Sequence, residues 1–505
     1  MPDLFYMTTP IYYVNDLPHL GTAYSTIIAD IFTRYHRFFG SESFLLTGID
    51  EHGQKCEQAA QSQKKETQLY CDQMSAQFEK TWKALDIHYN SFLRTSSDRH
   101  KKVVQEALKK LQEKGDIYSD VYKGWYCVSE ETFYTEKDLV DQKSPTGKEV
   151  VYIEEKNYFF KMSKYQKALQ KHLEDHPDFI QPSYRQNEIK GFLKQDLQDL
   201  CISRPKSRVS WGVELPFDQD YVAYVWVDAL LNYLTGVFYL EDSKKFDKWW
   251  KQAGTVHLIG KDILMTHGVY WPCLLMALDL PLPKTLFAHG WLLNEEQSKM
   301  SKSKGDKLDP LELAGLFGVS ELRYFLAREI ILGNDAPVSK SLMAQKINSD
   351  LSDQLGNILS RLCRLVDKNY EGKINKPEGG RGEVFKQKTE QLLLEVEKDI
   401  KAFKLSQALD KISQRLSEVN RYLEDQAPWT MVKTDKEGAA CVLYNSLEVL
   451  RICSLLLYPV MPQKINQLLQ HLGEEVSLKS LKWGRLPLGK DIKHCQPLFP
   501  KIVLS

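Results

Sequence analysis

The stretch "PHLG", residues 18–21, places a histidine and a glycine where an apolar strand pattern changes into a helical one. A helix N-terminus offers free backbone N–H groups and a positive dipole end, so phosphate binds there if no side chain blocks the approach. Gly21 leaves the approach open, and His19 can donate a hydrogen bond to charge developing on a phosphate oxygen. The corner therefore indicates a phosphate site, although a bare "HLG" recurs at residues 471–473, where no such corner is expected.

A second stretch, "EEQSKMSKSKGDKLDP", carries Lys299, Lys302 and Lys304 among serines. Cations on small, flexible residues suit a loop that closes over a polyphosphate, each ammonium acting as a point charge. A solvated surface loop is the alternative, because charge runs are usually solvated. Together the two stretches predict chemistry on a nucleotide.

Composition excludes several classes of protein. A chain of 505 residues exceeds what one core usually supports, so about two to four domains are expected. Lys plus Arg and Asp plus Glu both number 67, which excludes a globally basic coat for nucleic acid. The nine scattered cysteines contain no C-x-x-C pair, which argues against a disulfide framework or a structural zinc site. Without a leader or a run of 18 apolar residues, a soluble cytoplasmic protein without membrane contact is expected.

The apolar patterns of the sequence predict alternating strands and helices, and these elements must position the residues named above. "GTAYSTIIADIFTRYHRFFG" has helical apolar spacing and ends at Gly40, and "SFLLTGIDEHG" begins with a short buried strand. "TVHLIGKDI", "ILMTHGVYWPCLLMALDL" and "KTLFAHGWLL" repeat the pattern later. The expected fold class is α/β, a Rossmann-like, doubly wound parallel sheet. An aromatic, alternating insertion splits it from roughly residue 116 to 224, and an α-helical bundle follows from about residue 345.

"KMSKS" at 299–303 and the "PHLG" corner resemble the paired signatures of the class I aminoacyl-tRNA synthetases. Within that class the chain is similar to the methionyl-tRNA synthetases, whose motif order it follows over nearly its whole length. The matching stretches are "TTPIYYVNDLPHLG", "LTGIDEHGQK", "YVWVDALLNY", "LIGKDILMTHGVYWP", "HGWLL", "KMSKSKG" and "DQAPW". A nucleotidylyltransferase or another class I synthetase, and a non-catalytic tRNA-binding paralogue, are the alternatives.

The resemblance implies a division of labour along the chain and a reaction. Residues 1–115 and 225–290 would form the catalytic domain, 116–224 the connective insertion, 291–344 the KMSKS loop with a stem-contact segment, and 345–505 the anticodon-binding domain. The carboxylate of L-methionine would attack the α-phosphate of ATP, which acts with Mg²⁺, and pyrophosphate would leave. The methionyl group would then pass to the 3′ end of tRNA(Met), including the initiator.

The resemblance also assigns roles to residues at matching positions. The catalytic and ATP-binding set is His19, Gly21, Thr22, Asp262, His289, Gly290, Lys299 and Lys302. The methionine-binding set is Asp50, Trp226, Tyr233, His267 and Trp271, of which the two tryptophans would otherwise be assigned to the core. The anticodon readers would be Asn357, Arg361 and Trp429; the alternatives are an ordinary surface pair for the first two and a core anchor for the tryptophan.

Three departures from the family pattern shape the expectations. The second signature histidine is Thr22, whose hydroxyl donates one hydrogen bond but carries no titratable charge. The insertion keeps only Cys127, with Glu130 in the place of a second ligand, so a zinc-free insertion is predicted. The chain stops soon after "QPLFPKI", so we expect no appended dimerisation domain and a monomer.

Overall fold

The computed structural model describes residues 3–127, 132–134, 136–294, 308–374, 376, 382–489, 491–492 and 496–504. Its first α/β half contains β1 (Leu4–Tyr13), α1 (Leu20–Phe38), β2 (Glu42–Asp50), α2 (Gln54–Ser62), α3 (Thr67–Ala84), β3 (Ser91–Arg94) and α4 (Asp98–Glu113). The next segment contains β4 (Ile117–Cys127), β5 (Thr132–Tyr134), β6 (Val151–Phe160), α5 (Gln166–Asp175), β7 (Ile180–Gln181), α6 (Ser183–Phe192), β8 (Leu200–Cys201), β9 (Ser203–Pro205), β10 (Glu214–Leu215) and β11 (Asp218–Ala223).

The second α/β half contains α7 (Val225–Leu230), α8 (Asn232–Thr235), α9 (Ser243–Phe246), β12 (Val256–Gly260), α10 (Trp271–Ala277) and β13 (Thr285–His289). A connecting segment follows, with β14 (Leu292–Leu293), α11 (Pro310–Phe317), α12 (Val319–Glu329), β15 (Ala336–Pro337) and α13 (Lys340–Ile347). The helical bundle contains α14 (Asn357–Tyr370), α15 (Glu383–Lys401), α16 (Leu405–Gln426), α17 (Pro428–Met431), α18 (Lys436–Leu457) and α19 (Pro462–His471).

The main sheet has six parallel strands in the order β3-β2-β1-β12-β13-β7. Its central strands are apolar almost throughout because helices cover both faces, and every residue of β12 and β13 is buried. From β1 the chain moves outward through β2 and β3, and later returns beside β1 through β12 and β13. The predicted doubly wound sheet is confirmed, and its direction of winding reverses between β1 and β12.

The insertion is not wholly separate from this sheet. Its strands other than β7 form two antiparallel sheets, in the orders β5-β4-β6-β8 and β10-β11-β9, beside the helices α5 and α6. The two-residue strand β7, however, pairs with β13, Ile180 lying opposite Leu286, and so becomes an edge strand of the main sheet. The alternating pattern of the insertion predicted strands but not this pairing.

A buried ion pair joins α1 to the connecting segment, and through it to the bundle. Arg323 on α12 donates from Nη2 to Asp30 Oδ2 at 2.6 Å and from Nε to the Val460 carbonyl at 2.8 Å. Arg323 is fully buried and Asp30 is equally shielded, so the pair ties α1, α12 and the chain after α18 together. Removing one partner of such a pair typically costs about 3–5 kcal/mol of stability, because the other charge is left buried alone.

Two expectations from the sequence, on membrane-spanning segments and on the cysteines, can be compared with the structure. The helix α18 is long and apolar enough, by length and composition, to cross a membrane, but 94% of its most apolar stretch is buried inside the protein, as in a core helix. The cysteines of the described residues are buried and form no disulfide with one another, and Cys56 and Cys71 lie with their sulfurs 3.3 Å apart. That pairing in space joins α2 to α3 and has no counterpart in the spacing of the sequence.

Candidate functional site

A cavity of about 570 Å³ opens at the carboxyl ends of the central strands, where the winding of the sheet reverses. Ligands of open α/β sheets bind in this crevice, and the volume suits a small-molecule site. Predicted site residues from the ends of the four central strands, from α1, α7 and α8 and from the turn before α10 line the cavity. They are His19, Gly21, Thr22, Asp50, Trp226, Tyr233, Asp262, His267, His289 and Gly290.

His19 is the N-cap of α1. Its Nδ1 accepts a hydrogen bond from the Gly21 backbone N–H at 3.1 Å. A nitrogen that accepts carries no proton, so in the neutral ring the proton is on Nε2, which is then a hydrogen-bond donor. A Cβ at Gly21 would lie 3.0 Å from the His19 ring, so glycine keeps this corner open. The geometry is that of a donor held at a helix N-terminus, as the sequence predicted for phosphate.

Thr22 closes the same cap from the other side. Its Oγ1 accepts from the His19 backbone N–H at 3.1 Å and donates to the His19 carbonyl at 2.8 Å. The hydroxyl proton is therefore used inside the cap, and the residue holds His19 in place. At the position of the second signature histidine, this chain therefore has a residue that caps α1.

His289 ends β13 and lines the cavity together with Gly290. The His289 ring donates from Nδ1 to the Gly290 carbonyl at 2.8 Å, and its Nε2 lies 2.7 Å from the Ser25 hydroxyl on α1. Burial lowers the pKa of His289, so the ring is neutral and accepts from Ser25. A Cβ at Gly290 would lie 2.2 Å from the Asn334 carbonyl group, which only glycine avoids. His289 thus braces the helix that carries His19.

Two carboxylates stand at strand ends on the cavity rim. Asp50 ends β2 and is only 3% exposed, so a cationic group of a ligand would meet its charge with little water between them. Asp262 follows β12, and its Oδ1 lies 2.5 Å from the point where a Cβ of Gly260 would stand, so the carboxylate folds back over the strand end. Carboxylates accept hydrogen bonds, which suits ammonium and hydroxyl groups rather than phosphate.

Tyr233 and His267 form a polar pair at the apolar end of the cavity. The Tyr233 hydroxyl lies 2.8 Å from His267 Nε2, and His267 Nδ1 donates to the Ile263 carbonyl at 2.9 Å. The tyrosine is therefore the donor in this pair. His267 lies in a π-helical turn, Thr266–Tyr270, an irregularity common at functional sites that here precedes α10.

Trp226 and Trp271 occupy different positions. Trp226 is half-buried, lines the cavity and meets the Tyr13 ring edge-on at 6.5 Å. Trp271 is fully buried behind Tyr233 and is not among the described residues that line the cavity. Its indole N–H donates to His257 Nε2 at 3.1 Å. Trp271 therefore packs behind the cavity wall in this structure. This position agrees with the alternative that its apolar segment belongs to the core.

His257 is a buried neighbour of the candidate site that the sequence did not predict. Its ring lies 4.1 Å from the Tyr233 ring, centre to centre, and its Nδ1 lies 2.7 Å from the Thr8 hydroxyl on β1. Thr8 and His257 are 249 residues apart in the chain, so no local pattern could pair them. The only indication in the sequence is a histidine within the apolar stretch "TVHLIG". Such a histidine is equally compatible with an ordinary buried strand residue.

The buried His267 predicts a pH dependence of stability. Burial lowers its pKa to about 4 from 6.5, so between these values the unfolded chain binds a proton that the folded chain does not. The free energy of unfolding should therefore fall as the pH drops through this window, by up to ~1.4 kcal/mol per pH unit from this one group. His267→Gln should make the dependence shallower by about one proton, measured by denaturant unfolding across the window. An equal slope in the variant would contradict this account.

The predicted anticodon residues lie together on the bundle surface. The Arg361 guanidinium lies 4.5 Å from the centre of the Trp429 ring, and Asn357 is exposed one turn before Arg361 on α14. Trp429 is 38% exposed on the short α17, so it is not the core anchor considered as the alternative. A flat ring and an arginine plane at the surface form a platform on which an unpaired base can stack.

Some predictions fall outside the described residues. Lys299, Lys302 and Glu130 lie there, so the lysine loop and the zinc-free insertion stay predictions. Cys127 is described and buried. Within the described ranges no three His, Cys, Asp or Glu side chains converge as a metal site.

Comparison with known proteins identifies the family. A model described as "tRNA synthetases class I (M)" matches residues 5–149 and 136–363, and one of the "Anticodon binding domain of methionyl tRNA ligase" matches 375–503. Methionine–tRNA ligases of Thermotoga maritima and Rickettsia conorii are 42% and 40% identical over 99% of this chain, which covers 80% and 100% of theirs. The Mycobacterium tuberculosis methionyl-tRNA synthetase in complex with methionyl-adenylate superposes with a TM-score of 0.93 at 37% identity, covering 99% of this chain and 100% of that one. The chain belongs to the methionyl-tRNA synthetase family.

Proposed function

We propose that this methionine–tRNA ligase forms methionyl-adenylate in the cavity at the carboxyl ends of β1, β2, β12 and β13. The observation that carries the proposal is the continuity of the cavity. The phosphate corner of His19 and Gly21 lines one part, and Asp50 with the Tyr233–His267 pair lines another. Methionine and ATP can therefore lie side by side. The similar Mycobacterium tuberculosis structure, in complex with methionyl-adenylate, supports the same placement.

Methionine would bind with its ammonium group at Asp50 and its side chain between aromatic walls. Trp226 and Tyr233 supply the apolar contact, worth about 0.3–1.5 kcal/mol for a thioether on a ring. An apolar slot discriminates by only about 1–3 kcal/mol per misplaced methylene, so a polar contact near the sulfur must add to it. The Tyr233 oxygen, whose one proton is donated to His267, would supply that contact to the polarised methyl group on the sulfur.

ATP would bind as its Mg²⁺ complex, with its phosphates at the N-terminus of α1. A carboxylate oxygen of methionine attacks the α-phosphorus, the bond to the pyrophosphate oxygen breaks, and pyrophosphate leaves. His19 Nε2–H would donate to the oxygen on which charge accumulates, and Lys299 and Lys302 would balance the leaving group from the opposite side. Asp262 would accept from a hydroxyl or amino group of the bound adenylate. No protein nucleophile is required.

The remaining assignments complete the proposal. The division into residues 1–115, 116–224, 225–290, 291–344 and 345–505 would separate catalysis, connection and anticodon reading. The chain would act in the cytoplasm as a monomer, without membrane contact and without zinc. Elemental analysis should find well under one zinc per chain, and size measurement in solution should give the mass of one chain.

The catalytic assignment is tested by ATP–pyrophosphate exchange that depends on L-methionine. Absence of exchange would refute it.

Trp429→Ala tests the anticodon surface. If a base of the anticodon stacks on this ring, truncation should weaken charging of tRNA(Met) by about 1–3 kcal/mol, and pyrophosphate exchange should stay near the wild-type rate. Because the ring is 38% exposed, the loss of stability should be small. A charging defect that persists equally on tRNA with an altered anticodon would defeat the recognition role, and so would normal charging. Trp483→Ala, at a half-buried tryptophan elsewhere in the bundle region, is the matched control.

A further inference from the structure

Behind the methionine end of the cavity, one buried carboxylate bonds two imidazoles. Asp228 on α7 accepts from His52 Nδ1 at 2.6 Å and from His100 Nε2 at 2.8 Å. On its far side, His100 Nδ1 lies 2.9 Å from the Thr235 hydroxyl on α8. All four residues are at most 2% exposed. We call Asp228, His52, His100 and Thr235 the Asp228 cluster.

The hydrogen bonds of the cluster fix where its protons are. An ionised carboxylate only accepts, so each histidine donates to it. In a neutral imidazole that donates from Nε2, Nδ1 accepts, so the Thr235 hydroxyl donates to His100 Nδ1 at 2.9 Å, its nearer acceptor than the Leu231 carbonyl at 3.1 Å. Burial alone would raise the pKa of Asp228, but the two imidazoles hold it below its usual range, so the carboxylate stays ionised.

The cluster is not a metal site. Metal-binding nitrogens and oxygens surround an ion at about 2.0–2.2 Å, each pointing at a shared centre. Here the nitrogens point directly at the carboxylate oxygens at hydrogen-bond distance. No space is left between them, and the role must come from the elements that the cluster joins.

Those elements carry two walls of the proposed methionine site. His52 stands two residues after Asp50, just beyond the end of β2. Asp228 stands two residues after Trp226, on the opposite side of α7 from the cavity. His100 adds α4 and Thr235 adds α8, which also carries Tyr233. The ammonium ligand and the aromatic wall come from distant parts of the chain, and the described side chains of the cluster bond the two directly.

We propose that the Asp228 cluster is a positioning device that sets the distance from Asp50 to Trp226 and Tyr233, and so sets the affinity for methionine. The inference rests on the proposed placement of methionine in this cavity. None of the cluster residues lines the cavity, so they act through their neighbours. A misplacement of about 1 Å at such a site can cost as much as about 10²-fold in activity, whereas ATP, held at the other part of the cavity, should be little affected.

His52→Ala in the full chain tests the proposal by ATP–pyrophosphate exchange. We expect the KM for methionine to rise about tenfold or more, and the KM for ATP to change less than about twofold. His52→Asn should bring the methionine KM back to within about threefold of wild type, because its side-chain N–H stands close to the position of Nδ1. Leu111→Ala, in the buried face of α4, controls for lost stability alone and should leave both KM values unchanged.

A double variant separates this inference from the proposed function. If the cluster acts by placing Asp50, then adding His52→Ala to Asp50→Asn should raise the methionine KM by clearly less than the product of the two single effects. If Asp50→Asn alone leaves the methionine KM unchanged, the proposed site itself fails. If Asp50→Asn raises it and His52→Ala does not, or raises both KM values equally, or Leu111→Ala has the same effect, the positioning role is overturned.

Discussion

His19→Asn should lower the rate of methionyl-adenylate formation by about 10²–10³-fold, the loss typical of one preorganised donor, about 2.7–4 kcal/mol of barrier. The choice of asparagine matters because His19 has two roles in the structure. Its Nδ1 caps α1, and its Nε2–H is the proposed donor to the phosphate. Asparagine is a good N-cap but does not reach as far as Nε2. The measurement is methionine-dependent pyrophosphate exchange with single-turnover adenylate formation.

Folding and substrate binding supply the controls for this prediction. The melting temperature of His19→Asn should stay close to wild type, since the cap is retained. The KM for methionine should also be kept, because Asp50 and Tyr233 bind it elsewhere in the cavity. Thr22→Ser, which keeps the hydroxyl that bonds the His19 backbone, should be near wild type in rate. A His19→Asn enzyme with an undiminished adenylation rate would remove the imidazole from the reaction.

The position of His19 illustrates what a sequence can predict. A strand pattern, a glycine and a helical pattern follow one another within about 20 residues, and each is a local signal. The structure places the N-cap at His19, ends α1 at Phe38 and gives Gly40 a φ of 94°, as expected for a residue after a helix. Buried strands such as β2 and β12 were equally readable because parallel strands covered on both faces are apolar throughout.

The role of Thr22 in the structure is one that its residue type and position did not predict. Its identity suggested a weaker copy of the missing histidine, with a hydroxyl turned to the nucleotide. The structure instead commits the hydroxyl to both backbone groups of His19, in a capping box that spans residues 19–22. Residues 19–22, His-Leu-Gly-Thr, do not have the Ser/Thr-x-x-Glu/Gln pattern of a capping box, so residue types alone did not predict this cap.

Contacts between distant segments could not be predicted from one sequence. Thr8 with His257, and His52 with Asp228, are separated by 249 and 176 residues. The strand β7 contributes two residues to the main sheet, too few to show a period. Trp271 had the right type for a binding wall, yet its position behind Tyr233 depends on how α10 packs against β12. These features depend on how whole helices and strands pack together. The spacing of residues along the sequence does not show that packing.

Asp50→Asn should weaken methionine binding by about 2–5 kcal/mol, the usual cost of removing one partner from a buried, hydrogen-bonded charge pair. The carboxylate is only 3% exposed, so bulk water screens it poorly, and asparagine keeps its shape while removing its charge. The KM for ATP should be kept. In the exchange reaction, the KM for methionine should therefore rise while the KM for ATP stays the same.

The des-amino analogue of methionine, 4-(methylthio)butanoic acid, makes this prediction specific to the ammonium group. The wild-type protein should bind methionine more tightly than the analogue by about the same 2–5 kcal/mol, since the analogue leaves Asp50 buried without its cation. In Asp50→Asn that preference should disappear, with the analogue bound at least as well as by the wild-type protein, because no buried charge is then left uncompensated. Competition in pyrophosphate exchange measures both constants. If the variant still prefers methionine over the analogue as strongly as wild type does, the ammonium group is recognised elsewhere, and the orientation of methionine proposed for this cavity is wrong.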